Sequence, residues 1–277
     1  MSDNQNTPSS PQGIRRLLTL LLEVGLLAVL AFIVVLKWND IKNAVLNTDD
    51  RGQRQRRVIA EPSGDKAAEL EAAEKLTALK DKNGGGRYLV ISEKIEPGKP
   101  EKRVTSINYK GATIDEEALK LTARLYRIST IIADNSNISD DDLKYFSGLT
   151  VLTSLVLTNT GITDKGMANL RPLSNLETLH LSGTKVTDAG LDDIAQLTNL
   201  KILNLSQTGV TDAGMKKLVP LTNLEWLLLS ETSLSDAGLD ELAAMKRLHR
   251  LTIGKMKVTA AGVERLKKAI PALAVDQ

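Results

Sequence analysis

The side chains best suited to catalysis or metal binding are few and far apart in this sequence. Its 277 residues include two histidines, His180 and His249, and no cysteine. The absence of cysteine excludes disulfides, thiolate metal sites and cysteine nucleophiles together. Neither histidine belongs to a Ser/His/Asp arrangement or a metal-ligand spacing, and no Gly-rich phosphate loop is present. We therefore expect no enzymatic activity, no cofactor and no metal site.

Four aspartates recur at a constant interval of 24 residues. Each comes after a threonine or serine and precedes a glycine by two residues, in the segments Thr163–Gly166, Thr187–Gly190, Thr211–Gly214 and Ser235–Gly238. A calcium site is disfavoured because each carboxylate lies a whole repeat from the next. An apolar stretch with helical spacing comes after each segment, so the hydroxyl is predicted to cap a helix and the carboxylate to favour its dipole. The glycine is expected to let that turn lie close to its neighbour.

The elements that hold these segments are predicted from leucines at the same interval. Each repeat opens with the pattern LxxLxL, whose alternating part is typical of a short strand with one buried face. The central leucines are Leu155, Leu179, Leu203, Leu227 and Leu251. A single copy cannot bury its apolar face alone, so the copies are expected to stack into an α/β solenoid. We predict a horseshoe with parallel strands on its concave side and helices on its convex side.

This pattern resembles the leucine-rich repeat, although Thr160, Thr184, Thr208 and Thr232 replace the asparagine of LxxLxLxxN. The "VTDAGL" part is similar to the cysteine-containing subclass of F-box substrate adaptors, with threonine for its cysteine and two residues fewer. Bacterial membrane-anchored proteins with short "TDAGL" repeats are also similar. The resemblance covers residues 104 to about 275, and it implies a non-catalytic protein that binds other proteins or peptides.

A run from Leu17 to Leu36 predicts a transmembrane helix. Fifteen of its 20 residues are Leu, Ile, Val or Phe, and as a helix it would span about 30 Å. Arg15 and Arg16 precede the run and Lys37 and Lys42 follow it, so the count of positive charges nearly balances. The short polar N-terminus and the large part of the chain after the run favour a signal-anchor with the amino terminus inside. The repeat domain is then expected to be extracytoplasmic, in a single-pass membrane protein.

The rest of the chain divides by composition. The predicted boundaries are a short polar N-terminus at 1–16, the anchor at 17–36, a linker at 37–86 with a helix at about 65–82, a capping hairpin with a first degenerate repeat at 87–127, and the solenoid with its C-terminal cap at 128–277. The linker helix carries a thin apolar stripe of Leu70, Ala73, Leu76 and Leu79. It is interpreted either as a spacer or as a helix that packs lightly on the segment after it.

The side chains between the strand leucines are predicted to face outward on the concave surface. Six of them form a candidate protein-binding patch: His180, Ile202, Asn204, Trp226, Leu228 and Arg250. Tryptophan with apolar neighbours and an arginine is the composition of an interface hot spot. The alternative is that Trp226 lies flat on its neighbours and contacts nothing else.

Charge disfavours a nucleic-acid role. Residues 128–277 contain 15 Lys or Arg and 17 Asp or Glu, a net charge of about −2. Basic residues are dense between Lys246 and Lys268, where they would contact an acidic partner or a lipid headgroup, or form a solvated end cap.

The sequence thus predicts a membrane-anchored scaffold that binds a protein or peptide on its concave face. One alternative is an intracellular substrate adaptor. Another is a structural envelope component that acts through its anchor helix, where Glu23 would contact another membrane helix.

Overall fold

The computed structural model describes residues 66–82, 90–93 and 104–277. Nine strands form one sheet in chain order, and helices alternate with most of them. The strands are β1 Val90–Glu93, β2 Val104–Asn108, β3 Thr130–Ile132, β4 Ser154–Val156, β5 Thr178–His180, β6 Ile202–Asn204, β7 Trp226–Leu228, β8 Arg250–Thr252 and β9 Ala274–Asp276. The α-helices are α1 Lys66–Lys82, α2 Glu116–Thr122, α3 Asp164–Met167, α4 Leu191–Ile194, α5 Asp212–Leu218, α6 Asp236–Leu242 and α7 Ala260–Ala269. Short 3-10 helices cover Asp142–Tyr145 and Ala168–Leu170.

Strands β2 to β9 are parallel, and their register repeats the sequence interval. Leu155 is paired with Leu179, and Leu179 with Leu203, so equivalent leucines lie side by side across the sheet. Leu179, Leu203 and Leu227 are fully buried. These side chains face the helices, and they form one continuous core with the leucines of the loops and helices. The prediction of a parallel leucine-rich solenoid is confirmed for this part of the chain.

Most of the repeat helices have a threonine or serine as N-cap, as predicted. Thr163, Thr211 and Ser235 have extended backbone, and their side chains accept a hydrogen bond from the amide two residues later. Helix α4 is the exception, because it begins at Leu191 and Gly190 precedes it without a side-chain cap. The Thr187 hydroxyl still accepts from the Ala189 amide at 3.3 Å, so the turn is kept while the helix starts later.

The N-terminal end of the solenoid is covered by a strand and a helix. Strand β1 pairs antiparallel with β2, and α1 packs against α2. The stripe predicted on α1 was wrong at Leu70, which is 40% exposed. Ala73 and Leu76 of the stripe are buried as predicted, and the buried face also includes Ala72 and Glu69, which forms an ion pair with buried Arg127 at 2.5 Å. This ion pair attaches one turn of the helix to the first degenerate repeat.

A left-handed backbone position follows each of strands β2 to β8, and the sequence pattern did not reveal it. Positive φ recurs every 24 residues at Gly111, Asn135, Asn159, Gly183, Gln207, Glu231 and Lys255. Only two of the seven are glycine, the residue that ordinarily marks such a conformation. Because the amides of Asn159 and Gln207 donate to carbonyls of the next repeat at 2.8 Å, neighbouring repeats hold the turn in place. That support explains why residues with side chains occupy it.

The predicted anchor at Leu17 to Leu36 lies outside the described residues. Within 66–82, 90–93 and 104–277, none of the helices has the length and apolar character needed to cross a membrane.

Candidate ligand-binding face

The side of the sheet opposite the core presents two side chains per strand, one on each side of the buried leucine or isoleucine. We call this side the open face. Across β3 to β8 the first column is Thr130, Ser154, Thr178, Ile202, Trp226 and Arg250, and the second is Ile132, Val156, His180, Asn204, Leu228 and Thr252. The structure places all six residues of the candidate patch on this face. Five of them are half-buried, and Ile202 is buried.

Trp226 is the largest side chain on the open face, and its orientation is set from the next strand. Its indole Nε1 donates to Thr252 Oγ1 at 3.3 Å. The Arg250 guanidinium lies 5.0 Å from the ring centroid, within cation–π range. The ring is therefore oriented before any ligand arrives, which lowers the entropy cost of using it as an anchor.

Arg250 is positioned in turn by an ion pair with the next strand. Its Nε donates to Asp276 Oδ2 on β9 at 2.5 Å, and both side chains are 41% exposed. The pair is exposed to solvent, so it contributes little to stability but fixes the direction of the guanidinium. Trp226, Arg250, Thr252 and Asp276 thus form one connected polar and aromatic cluster beside half-buried Leu228.

The remaining members of the patch differ in what they offer a ligand. The Asn204 amide oxygen already accepts from the Ser206 backbone at 3.0 Å, so its NH₂ group is the part available for donation. Ile202 lies on the open face as predicted, between Thr178 and Trp226 in the register. Its expected exposure is corrected, because only 6% of the residue is exposed.

His180 has the most unusual environment on the open face. Its Nε2 is buried and has no hydrogen-bond partner in the described part of the chain. Burial lowers the pKa of the imidazole below its usual value, and the Asp134 carboxylate opposes that effect. The ring is therefore held toward its neutral form, in which one nitrogen can accept a hydrogen bond.

The repeated aspartates connect neighbouring repeats, and this role was missed by sequence reasoning. Each carboxylate bridges to the hydroxyl residue of the next repeat, 23 residues later. Asp164, for example, accepts from the Thr187 amide and hydroxyl, both at 2.7 Å, and from the Gly190 amide at 3.0 Å. The available signal was the constant offset between each aspartate and the following Thr or Ser. The segment Thr259–Gly262 carries alanine in place of the aspartate, which ends the series.

The glycines of the same segments are required by this bridge. A Cβ added at Gly190 would lie 2.6 Å from Asp164 Oδ1, and one at Gly166 would lie 2.5 Å from Asp140 Oδ1. Real Cβ contacts are longer, so any side chain here would displace the carboxylate. The predicted close approach of neighbouring turns is confirmed, and its cause is the aspartate between them.

The basic residues near the C-terminal end are largely paired within the fold. Lys255 binds Glu231 at 3.0 Å, Arg247 donates to Asn223 at 2.9 Å, and Arg265 binds Asp240 at 3.2 Å. Each pair joins neighbouring repeats. The basic stretch therefore acts first as a connection between repeats.

Comparisons with known families identify the repeats. Residues 174–214 match the model described as "Leucine Rich repeats (2 copies)", and residues 148–170 match the model described as "Leucine Rich repeat". No curated protein matches the sequence significantly. Among the described residues, no three His, Cys, Asp or Glu side chains lie close enough together to hold a metal ion.

Solved structures with similar folds include bacterial leucine-rich-repeat proteins. An internalin from Listeria monocytogenes is 18% identical, with a TM-score of 0.49 over 63% of this chain and 61% of the internalin. A Leptospira interrogans LRR protein is 24% identical, with a TM-score of 0.45 over 57% of this chain and 39% of that protein. Internalin C2 from Listeria monocytogenes is 18% identical, with a TM-score of 0.45 over 72% of this chain and 91% of internalin C2. The chain thus spans less than two thirds of the length of the first two.

Proposed function

We propose that this chain, which is a leucine-rich-repeat protein, is a non-catalytic scaffold that binds a protein or peptide ligand on the open face of its sheet. Leucine-rich-repeat domains generally bind proteins or peptides. The observation that carries the proposal is the cluster around Trp226. The indole is oriented by Arg250 and Thr252 and is half-buried beside Leu228. Partial exposure of such large apolar side chains does not stabilise a monomer, so it marks a surface for a ligand.

The cluster has the composition of an interface hot spot. Tryptophan and arginine dominate such sites because they bury large areas while keeping a polar group paired. Here the guanidinium is already paired with Asp276, so a ligand that covers the indole does not leave the arginine without a hydrogen-bond partner. Truncation of Trp226 is expected to remove the anchor of binding and leave the core untouched.

A photocrosslinking experiment tests this proposal in the cell. Benzoylphenylalanine replaces Leu228 in one strain and Val219, a half-buried residue directly after α5, in a control strain. We expect an adduct with another protein at position 228, weak or no adduct at position 219, and loss of the first adduct when Trp226→Ala is added. Equal crosslinking at both positions, or an adduct unaffected by Trp226→Ala, contradicts the proposal.

We further propose that the scaffold is anchored in a membrane by residues 17–36, with the repeats on the extracytoplasmic side. The support is the apolar run and the two arginines that precede it. Protease added to intact cells or spheroplasts is expected to degrade the repeats. Protection until the membrane is opened would place them on the cytoplasmic side.

A further inference from the structure

Two polar side chains of the open face are left without partners in its N-terminal half. The atoms are Asp134 Oδ1 and His180 Nε2, and they are the two buried side-chain polar atoms without a hydrogen bond in the described part of the chain. Asp134 lies two residues beyond Ile132 on β3. The ladder bonds continue past it, since the Ala133 and Asn135 amides donate to Val156 and Thr158. By alternation, Asp134 points to the same side of the sheet as Ile132 and His180.

Three other polar side chains of this face have partners. Asn204 accepts from the Ser206 amide, Trp226 donates to Thr252, and Arg250 pairs with Asp276. A buried polar atom with no partner is uncommon in native proteins and costs free energy in proportion to its burial. Two such atoms lie on one face, only two strands apart. They therefore indicate a site where a ligand would supply the missing hydrogen-bond partners.

The chemistry of the two groups defines what they can bind. An ionised carboxylate only accepts hydrogen bonds, and a neutral imidazole has one accepting nitrogen. Lys110, the nearest cation by register, lies just beyond β2 beside Asp134, but it is exposed and forms no ion pair in the described part of the chain. A ligand group with several donors and a positive charge suits acceptors of this kind.

We infer that Asp134 and His180 form a subsite for a lysine or arginine side chain of an extended polypeptide ligand, whose apolar residue lies on Trp226 and Leu228. This inference rests on the proposed function and specifies its ligand. Parallel strands lie roughly 4.8 Å apart, so His180 lies about 10 Å from Leu228, which is level with it two strands away, and Asp134, four strands and two residues from Leu228, lies about 20 Å from it. At roughly 3.3 Å per residue, the basic and apolar residues of the ligand are separated by about three to six positions.

Selection from a peptide library tests the inference. The probe is a phage-displayed library of random linear peptides about 12 residues long, which exceeds the required span at roughly 3.3 Å per residue. The target is the full chain in detergent, as wild type, Asp134→Asn and Trp226→Ala. Asp141→Asn, which changes an exposed acid beside the 3-10 helix Asp142–Tyr145, is the matched control. Thermal unfolding of each variant verifies that it is folded.

We expect wild-type selections to enrich peptides with Lys or Arg three to six positions from an aromatic or aliphatic residue. Asp134→Asn removes the preference for the basic residue and weakens a selected peptide roughly tenfold, while Asp141→Asn does not. Peptides enriched without a basic residue, or bound equally by Asp134→Asn, overturn the subsite but leave the open face as a binding surface. No enrichment, or enrichment independent of Trp226, overturns both the subsite and the proposed function.

Discussion

The edge of the solenoid at which the helices begin and the open face of its sheet come from the same repeats but use polar residues in opposite ways. On the edge, five successive carboxylates bind the hydroxyl residue of the following repeat with almost the same distances. On the open face, the side chain changes from Ser154 to Thr178 to Trp226 at one register position. Two buried polar atoms of this face, Asp134 Oδ1 and His180 Nε2, have no hydrogen-bond partner in the described part of the chain.

The difference shows which residues hold the fold and which are free for a ligand. A residue type that recurs in successive repeats meets its partner in the next repeat, as each aspartate meets the following Thr or Ser, so its hydrogen bonds are made inside the molecule. A position whose residue changes between repeats, such as that of Trp226, has no such constant partner. The edge is therefore expected to control the stability of the array, and the open face to control recognition. Four substitutions test this separation, from the largest expected effect to the smallest.

Removal of one bridging carboxylate is expected to cause the largest loss. Asp188→Ala leaves the amide and hydroxyl of Thr211 without the acceptor they reach at 2.8 and 2.6 Å. Hydrogen bonds to a charged group contribute roughly 1.5–3 kcal/mol each, so we expect about 3 kcal/mol of destabilisation. Urea unfolding followed by circular dichroism measures it. Asp141→Ala, at an exposed acid, is the control, and an equal loss in both variants would refute the special role of the edge.

A methyl group at the same edge tests its close packing. A Cβ at Gly214 would clash with the Asp188 carboxylate and lie 2.6 Å from Leu191 Cδ1. Overpacking of this kind costs roughly 1–3 kcal/mol, so Gly214→Ala is expected to lose about 2 kcal/mol in the same assay. Gly148→Ala is a matched control, because nothing lies within 4 Å of its added Cβ. A Gly214→Ala protein as stable as Gly148→Ala would show that the turns are not in tight contact.

Truncation of a side chain on the open face is expected to weaken ligand binding and to leave stability nearly unchanged. Trp226→Ala is expected to change the free energy of unfolding little, because the ring lies on the surface side of the sheet. It should weaken a peptide selected on the wild-type chain by about 2 kcal/mol, as measured by fluorescence anisotropy. Val219→Ala serves as control. A large loss of stability with unchanged affinity would make Trp226 a structural residue.

The smallest expected effect is a dependence of stability on pH through His180. Burial lowers the pKa of this imidazole in the folded state, so below its ordinary value near 6.5 the unfolded chain binds more protons. Acidification from pH 7 toward 5 should therefore destabilise the wild type more than His180→Gln. His249→Gln, which alters an exposed ring, should behave like the wild type. Identical pH profiles for the wild type and His180→Gln would show that the imidazole is not held neutral by the fold.

Much of the architecture was predictable because it depends on local patterns repeated at a fixed interval. The LxxLxL pattern located the strands, and the hydroxyls of Thr163, Thr211 and Ser235 located helix starts. The pattern failed for α4, where the same segment forms a turn before the helix. It also failed on α1, because the partner of Glu69 is Arg127, 58 residues away in the chain.

The candidate site was predictable only as a set of outward positions. Alternation along each strand identified Trp226, Leu228 and Arg250, but it could not determine that Ile202 would be covered or that the indole would bind Thr252. These outcomes depend on the sizes of side chains that meet across strands. Asp134 was missed altogether, because it is defined by a missing partner and not by a residue pattern.

The sequence by itself determined the 24-residue unit, its buried leucines and the need for stacking, since an apolar stripe too narrow to fold alone must be covered by its neighbour. Only the tertiary structure decided which polar groups bind each other. That choice depends on distances between repeats, where the Asp164 carboxylate reaches Thr187 at 2.7 Å while His180 Nε2 reaches no partner in the described part of the chain. Hydrogen bonds act over about 3 Å, so their presence or absence is settled by packing and not by composition.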